Sequence, residues 1–410
     1  MSVPPVRADM PRGLLMLFAV ASGLSVANVY YAQPLLDALA LEFAMAPALV
    51  GGVVAMTQVG CALALLLVVP LGDVLPRRRL MGIQLALLVG VLVLVGMARS
   101  APMLLVGMLG VGLLGTAMTQ GLLAYAASAA SAREQGRVIG IAQGGVFIGL
   151  LSARAFSGAV SDLAGWRGVY LLAALLMACV AVPLWRRLPR LVDAAAPLGY
   201  WRLIASMFWL LRTEPVLQVR GILALLMFAV LNIFWSALAL ALSGPPFHLA
   251  HTVIGAFGLV GVAGALAAAR TGRWVDAGYA PRVTVMALVL LLLAWWPLSR
   301  MDASLWLLAL GIVLLDAGAQ ALHVTNQSLI VRTHANAHGR LIGLYMLFYA
   351  AGSGLGAMGA TLAYAHGGWH GVCALGASVS VLALGFGVWT QRMQAGQLID
   401  SARCPQRAPR

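Results

Sequence analysis

The sequence predicts an all-α integral membrane protein, twelve transmembrane helices arranged as two six-helix, pseudo-symmetric halves. Three observations carry that expectation. Hydrophobic residues make up 62% of the 410 and charged residues only 9%; so few charges cannot cover a soluble protein of this length, so lipid is the solvent for most of the surface. The apolar residues fall into twelve runs, each close to the ~20 residues that one crossing needs. Landmarks also recur at a fixed interval: Asp73 and Asp276 are 203 residues apart (276 − 73), and Gly136-Arg137 with Gly339-Arg340, Gly140 with Gly343, and Gly165-Trp166 with Gly368-Trp369 keep that offset. One interval shared by four separated places marks two tandem copies of one unit.

The runs lie near residues 13–36, 48–70, 80–98, 102–129, 137–161, 168–186, 218–242, 252–271, 283–299, 304–331, 340–365 and 369–391. Helix is the expected form, because an open chain in hydrocarbon satisfies its backbone in no other way. The segment before the first run has no short apolar core followed by a small-residue cleavage site, so the first run is read as a retained span. The division expected is an N-terminal half over 1–192, an amphipathic linker over 193–215, and a C-terminal half with its tail over 216–410.

Arginine sets the expected orientation. All 26 basic residues are Arg, a bias that hints at a GC-rich bacterial genome. Counting along the chain, 22 fall at the termini, after the even-numbered spans or in the middle loop. Arg99, Arg167 and Arg300 fall in the opposite loops, and Arg154 falls inside span five. The positive-inside rule then places both termini and the middle loop in the cytosol, in a bacterial cytoplasmic membrane. The net charge of +14 is thus a topology signal; no basic stripe with interleaved polar residues suggests nucleic acid. The four cysteines, Cys61, Cys179, Cys373 and Cys404, have no paired spacing, so neither a disulfide framework nor a metal site is expected, and no cofactor.

Between the halves, Tyr200, Trp201, Leu203, Ile204, Met207, Phe208 and Leu211 alternate with Arg202, Ser206 and Arg212 at near-helical spacing, as in a helix lying on the membrane face. The alternative is the start of span seven, against which Pro215 argues. Small residues repeat every four along span five (Gly136, Gly140, Gly144) and span eleven (Gly352, Gly356, Ala360), which predicts close helix packing on those faces.

Twelve spans in two halves, with the basic hinge Leu71-Gly72-Asp73-Val74-Leu75-Pro76-Arg77-Arg78-Arg79 after span two and Gly272-Arg273-Trp274-Val275-Asp276 after span eight, resemble the major facilitator superfamily. Asp73, Arg77 and Arg78 match that family's hinge signature GxxxD(R/K)xGR(R/K). Val69, Val74 and Pro76 replace its first glycine, the basic residue after Asp and its second glycine, and the second copy keeps Gly272 and Asp276 without the basic pair. The stretches Asn28-Val29-Tyr30-Tyr31-Ala32-Gln33-Pro34-Leu35-Leu36, Leu315-Asp316-Ala317-Gly318-Ala319-Gln320 and Asn326-Gln327 are similar to bacterial drug:proton antiporter-type exporters, the branch with nucleoside and sugar efflux relatives. Their span-five signature GxxxGPxxGG is incomplete: Gly140 and Gly144 stand, with Gly145 at the proline position.

A charge at the centre of a span costs about 2.5–3.5 kcal/mol on insertion scales, so it needs a reason. Arg154 and Asp316 are the two clear cases. Arg154 lies 17 residues past Arg137 (154 − 137) and Asp316 lies 16 before Arg332 (332 − 316), so both rise about 24–26 Å above the cytosolic arginines. They either serve proton coupling, with Asp316 as carrier and Arg154 stabilising its ionised form, or form a permanent ion pair that holds spans five and ten together. His323, two turns from Asp316 on the same face, suits a proton relay or a hydrogen-bonded packing role. The pairs His334/His338 and His366/His370, without a carboxylate or Cys companion, read as solvated.

Asn28 and Tyr31 in span one, Gln120 in span four, Asn232 and Trp235 in span seven, and Gln320 in span ten suggest a substrate cavity, since the resemblance implies that spans one, four, seven and ten line it. Each also suits helix-to-helix hydrogen bonding. Asp73, Arg77 and Arg78, with Asp276 in the second copy, form the expected gating hinge. The function expected is export of a small organic compound in exchange for protons, by a chain that is not an enzyme and works as a monomer. The alternatives are a proton symporter that imports such a compound and a receptor on a transporter-like scaffold. HExxH and GxSxG, which would suggest an intramembrane enzyme, are absent.

Overall fold

The computed structural model describes residues 10–131, 134–188, 199–333 and 338–403, without the side chains of 73, 265, 267, 269, 338 and 394–403. Asp73 as a side chain, the pair His334/His338 and Cys404 therefore lie outside the described residues. Among the described residues the regular structure is helical. The first four crossings are Arg12–Ala27, Gly51–Gly72, Arg77–Gly96 and Ala101–Ala129. Gln135–Arg187 supplies spans five and six, Pro215–Ser243 span seven and His251–Ala267 span eight. Ala280–Leu293 is span nine, Leu305–Val331 span ten, and His338–Arg403 spans eleven and twelve.

The joints explain the repeat. Spans five and six meet at Gly165 (φ 69°), and spans eleven and twelve at Gly368 (φ 54°). Both lie in the left-handed region, where only glycine reverses the chain without strain. The following tryptophans anchor the turns: Trp166 packs on Phe43 with ring centroids 5.5 Å apart, and Trp369 Nε1 donates to the Leu298 carbonyl at 2.8 Å. Each half also has its own apolar core, one around Leu88, Leu104, Met118 and Tyr170, the other around Phe234, Leu291, Leu322 and Val372.

Helix Tyr200–Thr213 joins the halves and buries Ile204, Met207 and Leu210 on one side, leaving Trp201 and Trp209 exposed. It ends at Glu214, and Pro215 opens span seven, where its missing N–H leaves no helical bond unmade. Tyr200 Oη donates to the Leu67 carbonyl of span two (2.9 Å), and Arg340 of span eleven donates to Ser206 Oγ (2.8 Å). The linker is thus tied to both halves.

The glycine expectation holds for span eleven and needs correction for span five. A Cβ on Gly352 or Gly356 would collide with the backbone of Leu225 or Ala229 in span seven. On span five, Gly136, Gly140 and Gly144 have nothing within 4 Å. The close face lies one residue on, where Gly145 and Gly149 press against Ala19 and Gly23 of span one. A four-residue period gives the presence of a packing stripe but not its phase against the neighbour, and one residue turns a helix by about 100°.

A cavity of about 1090 Å³ lies between the halves on the face that carries the hinges and the linker, lined by Met81, Gln84, Gln120 and Gln135 of the first half and Arg340 and Met346 of the second. On the opposite face the halves meet along two seams. In the first, Thr361 Oγ1 donates to the Ala48 carbonyl at 3.2 Å, and Gly51 lies against the backbone of Ala357. The second joins span five to span eight: Gly255 lies against the Arg154 carbonyl, and Gly158 against that of His251.

Candidate functional site

Arg154 reaches the interface between the halves because Gly255 and Gly258 let span five approach span eight along the arginine's backbone and stem. Its side chain is buried. Nε donates to Gln33 Oε1 at 2.8 Å, and Gln33 Nε2 donates in turn to Asn232 Oδ1 at 3.1 Å. The guanidinium lies 4.0 Å from the Trp235 ring centroid and 5.6 Å from that of Tyr30. A desolvated cation over an aromatic face gains up to about 2 kcal/mol, which offsets part of its burial cost. Arg154 thus belongs to a polar bridge from span one to span seven.

Asp316 projects from span ten toward span eight, where its carboxylate occupies the room left by the missing side chain of Gly261. It is half-buried and makes no hydrogen bond or ion pair with any described residue. Arg154 is within Coulombic reach, but no described ion pair joins the two. Gly258 meets the Arg154 stem and Gly261, one turn on, meets Asp316, so one glycine face of span eight serves both charges.

His323 Nδ1 lies 2.8 Å from Tyr345 Oη, and its Nε2 is 3.2 Å from Gln327 Nε2. Its ring meets Phe228 edge-on at 5.4 Å, and Phe228 meets Tyr349 at 4.2 Å. The hydroxyls of Tyr349 and Tyr30 are hydrogen-bonded across the halves.

The expected cavity residues divide. Gln120 lines the cavity at the hinge face. Asn28 Nδ2 donates to the Leu24 carbonyl of its own helix (2.9 Å), and Tyr31 is buried against Phe156 at 5.3 Å. Asn232 and Trp235 belong to the Arg154 bridge. Gln320 is half-buried and bonds to no described residue.

The hinge contacts run within each half. Arg77 Nε donates to the Gly72 carbonyl at 2.9 Å and its Nη1 to Ser128 of span four. Arg78 donates to the Trp185 carbonyl of span six at 2.8 Å. Asp276 pairs with Arg332 at 2.6 Å.

Several members of the site carry no isolated signal in the sequence. Gln33, Tyr30 and Tyr349 join it through contacts between residues 121 to 319 positions apart. At the end of the span-five seam away from the cavity, ahead of the apolar run of span eight, His251 Nε2 lies 3.0 and 3.1 Å from the Asp37 carboxylate oxygens, and its Nδ1 lies 3.3 Å from Asp162 Oδ1. The backbone N–H groups of His251 and Thr252 also donate to Asp162, at 3.1 and 2.7 Å. Asp162 thus caps a helix of the other half. The signal that could have found this cluster is the placing of Asp37, Asp162 and His251 at the outer ends of spans.

The sequence profile described as Major Facilitator Superfamily matches residues 15–240 and 220–401. The chain belongs to that superfamily. It is 38% identical over 376 residues to the uncharacterized transporter YgaY of Escherichia coli O157:H7, covering 92% of this chain and 95% of that one. To the probable transporter SCO4007 of Streptomyces coelicolor it is 31% identical, covering 90% and 86%. Among solved structures, a bacterial homolog of the human lysosomal transporter Spinster, inward-facing and unoccupied, superposes with a TM-score of 0.73 at 16% identity, covering 95% of this chain and 98% of that one. A mutant of the nucleoside transporter NupG superposes with a TM-score of 0.73 at 14% identity, covering 92% and 99%. As a superfamily member the chain is a membrane-embedded transport protein for a small molecule and not an enzyme.

Proposed function

We propose that this superfamily member exports a small organic compound, drug-like or nucleoside- or sugar-like, in exchange for protons, as a monomer in the bacterial cytoplasmic membrane with both termini in the cytosol. The observation that carries the reading is Asp316: a carboxylate inside a span, half-buried and bonded to no described residue, with the Arg154 cation near but not paired to it. A permanent structural ion pair would place the two in contact; a carboxylate that must take up and release a proton needs its oxygens available. The likeness of the Asn28–Leu36 and Leu315–Gln320 stretches to drug:proton antiporters supports the same branch.

In this reading the halves, 1–192 and 216–410, rock about a midplane site while the linker 193–215 keeps them tethered. The open cavity on the hinge face and the closed seams opposite are consistent with a cytosol-facing state. Substrate enters past Gln120, and Asn28, Tyr31, Asn232, Trp235 and Gln320, which lie outside the lining of that cavity, meet it as the halves rock. Asp316 carries the proton, Arg154 stabilises its ionised form, and His323 passes the proton toward Tyr345. The hinge residues Asp73, Arg77, Arg78 and Asp276 brace each half on the cytosolic side.

Proton-coupled import is the second reading, favoured by one observation. Position 145, proline in the antiporter signature, is a glycine against the Ala19 backbone, where a Cβ would collide. Overexpression in a sensitive host against a panel of toxic compounds and nucleosides tests the direction. Resistance that disappears with Asp316→Asn supports export, and sensitisation supports import. Resistance retained in full by Asp316→Asn removes the carrier role.

A further inference from the structure

The cluster at the outer end of the span-five seam has no part in the transport reaction proposed above, yet it joins the halves. Asp37 follows span one and Asp162 follows span five, both in the first half, whereas His251 stands just ahead of the apolar run of span eight in the second. We propose that His251 is a proton-operated latch on the outer gate: protonated, it ties the halves together between two carboxylates, and on losing its proton it lets the seam part. The inference rests on the alternating-access reading and adds a regulation to it.

An imidazolium has two N–H groups and can donate to Asp37 and Asp162 at once; a neutral ring has one, so it gives up either Asp37 or the ring's bond to Asp162, which then keeps only its two backbone N–H donors. Without the cation, the two carboxylates also repel each other across the ring. Asp37 and Asp162 are the charged groups that face His251 among the described residues. The hydrogen bond with Asp37 raises the affinity of the ring for its proton above the ordinary histidine value, against the opposing effect of burial, with the charges of both carboxylates adding to the rise. A group whose affinity rises on closure stabilises the closed state at low pH and loses that contribution as pH rises through the raised value. Each unit of rise corresponds to about a tenfold shift in the closed-to-open ratio. Outer acidity then closes the outer gate and turns the carrier inward. The Asp162 cap on the span-eight helix uses backbone N–H groups and does not depend on the ring, so His251 can be replaced without undoing that helix end.

The test is a distance across the outer face. Spin labels at Leu41→Cys and Trp306→Cys, both strongly exposed and one in each half, are introduced into the full chain in lipid nanodiscs with the four native cysteines replaced by serine. Interlabel distances are then measured at about pH 5.5 and about pH 8.5, either side of the histidine range, in an Asp316→Asn background that removes the proposed proton carrier as a second source of pH response. The expected result is a closed population at least about threefold larger at the lower pH. His251→Gln should lose that dependence, and His251→Arg should stay closed at both values. Equal distributions at the two pH values in the parent chain overturn the latch, as does a pH response that persists in His251→Gln. The distances need no substrate, so a failed latch and a failed transport assignment give separate results.

Discussion

The two seams opposite the cavity are built on one scaffold and closed with different chemistry. Adding the 203-residue offset carries Ala48 to His251 (48 + 203) and Arg154 to Ala357 (154 + 203), so each seam occupies the place of the other in the duplicated unit. At the first, a threonine hydroxyl meets a carbonyl, and Gly51 admits the backbone of Ala357. At the second, a histidine stands between two aspartates, and Gly255 admits the backbone of an arginine. Close glycine packing is common to both seams, although the contact glycines sit one position apart under the offset, Gly51 answering to Ile254 and Gly255 to Gly52; titratable groups stand at one seam. The difference teaches that the duplicated scaffold brings the halves together at both seams, whereas ionisable side chains bridge them at one.

The largest effect is expected where the shared element is overfilled. Gly255→Leu and Gly51→Leu each drive a side chain into backbone of the opposite half, and overpacking of this kind costs roughly 1–3 kcal/mol. Both variants should open the outer face by a comparable amount, read as increased labelling of an outer cysteine by a membrane-impermeant maleimide. An effect confined to one seam would break the equivalence. Next in size is the contrast in pH response: His251→Gln should abolish the pH dependence of outer labelling, and Thr361→Val, which removes a neutral donor worth about 1 kcal/mol, should leave it intact. The smallest effect belongs to Asp276→Asn. It deletes an ion pair whose side chains are 72% and 51% exposed, worth about 0–1 kcal/mol, so the melting temperature should barely change.

The architecture was legible in the sequence because its signals are local. Apolar runs, arginine placement and the pairs Gly165-Trp166 and Gly368-Trp369 are properties of short segments, and the last two proved to be left-handed joints between spans. The site was legible only where a residue was anomalous by itself, as Arg154 and Asp316 are. Gln33 is an ordinary amide near the end of span one, and nothing nearby reveals that it accepts a hydrogen bond from an arginine 121 residues away. The same limit hid the His251 cluster, because Asp37, Asp162 and His251 are ordinary polar residues at the ends of apolar runs that meet only when the two halves pack. The stripe Gly136-Gly140-Gly144 shows the limit within one helix: its period was visible, but the phase against span one was set by the neighbour, at Gly145 and Gly149.

The central claim is that a proton bound at Asp316 is exchanged for substrate. It is tested most directly by purified protein in liposomes containing a pH-sensitive dye, to which a compound selected by the growth panel is added on one side without an imposed pH gradient. In the parent protein the compound should move protons across the membrane opposite to its own direction, and Asp316→Asn should still move the compound down its gradient but move no protons. Proton movement undiminished in Asp316→Asn would contradict it.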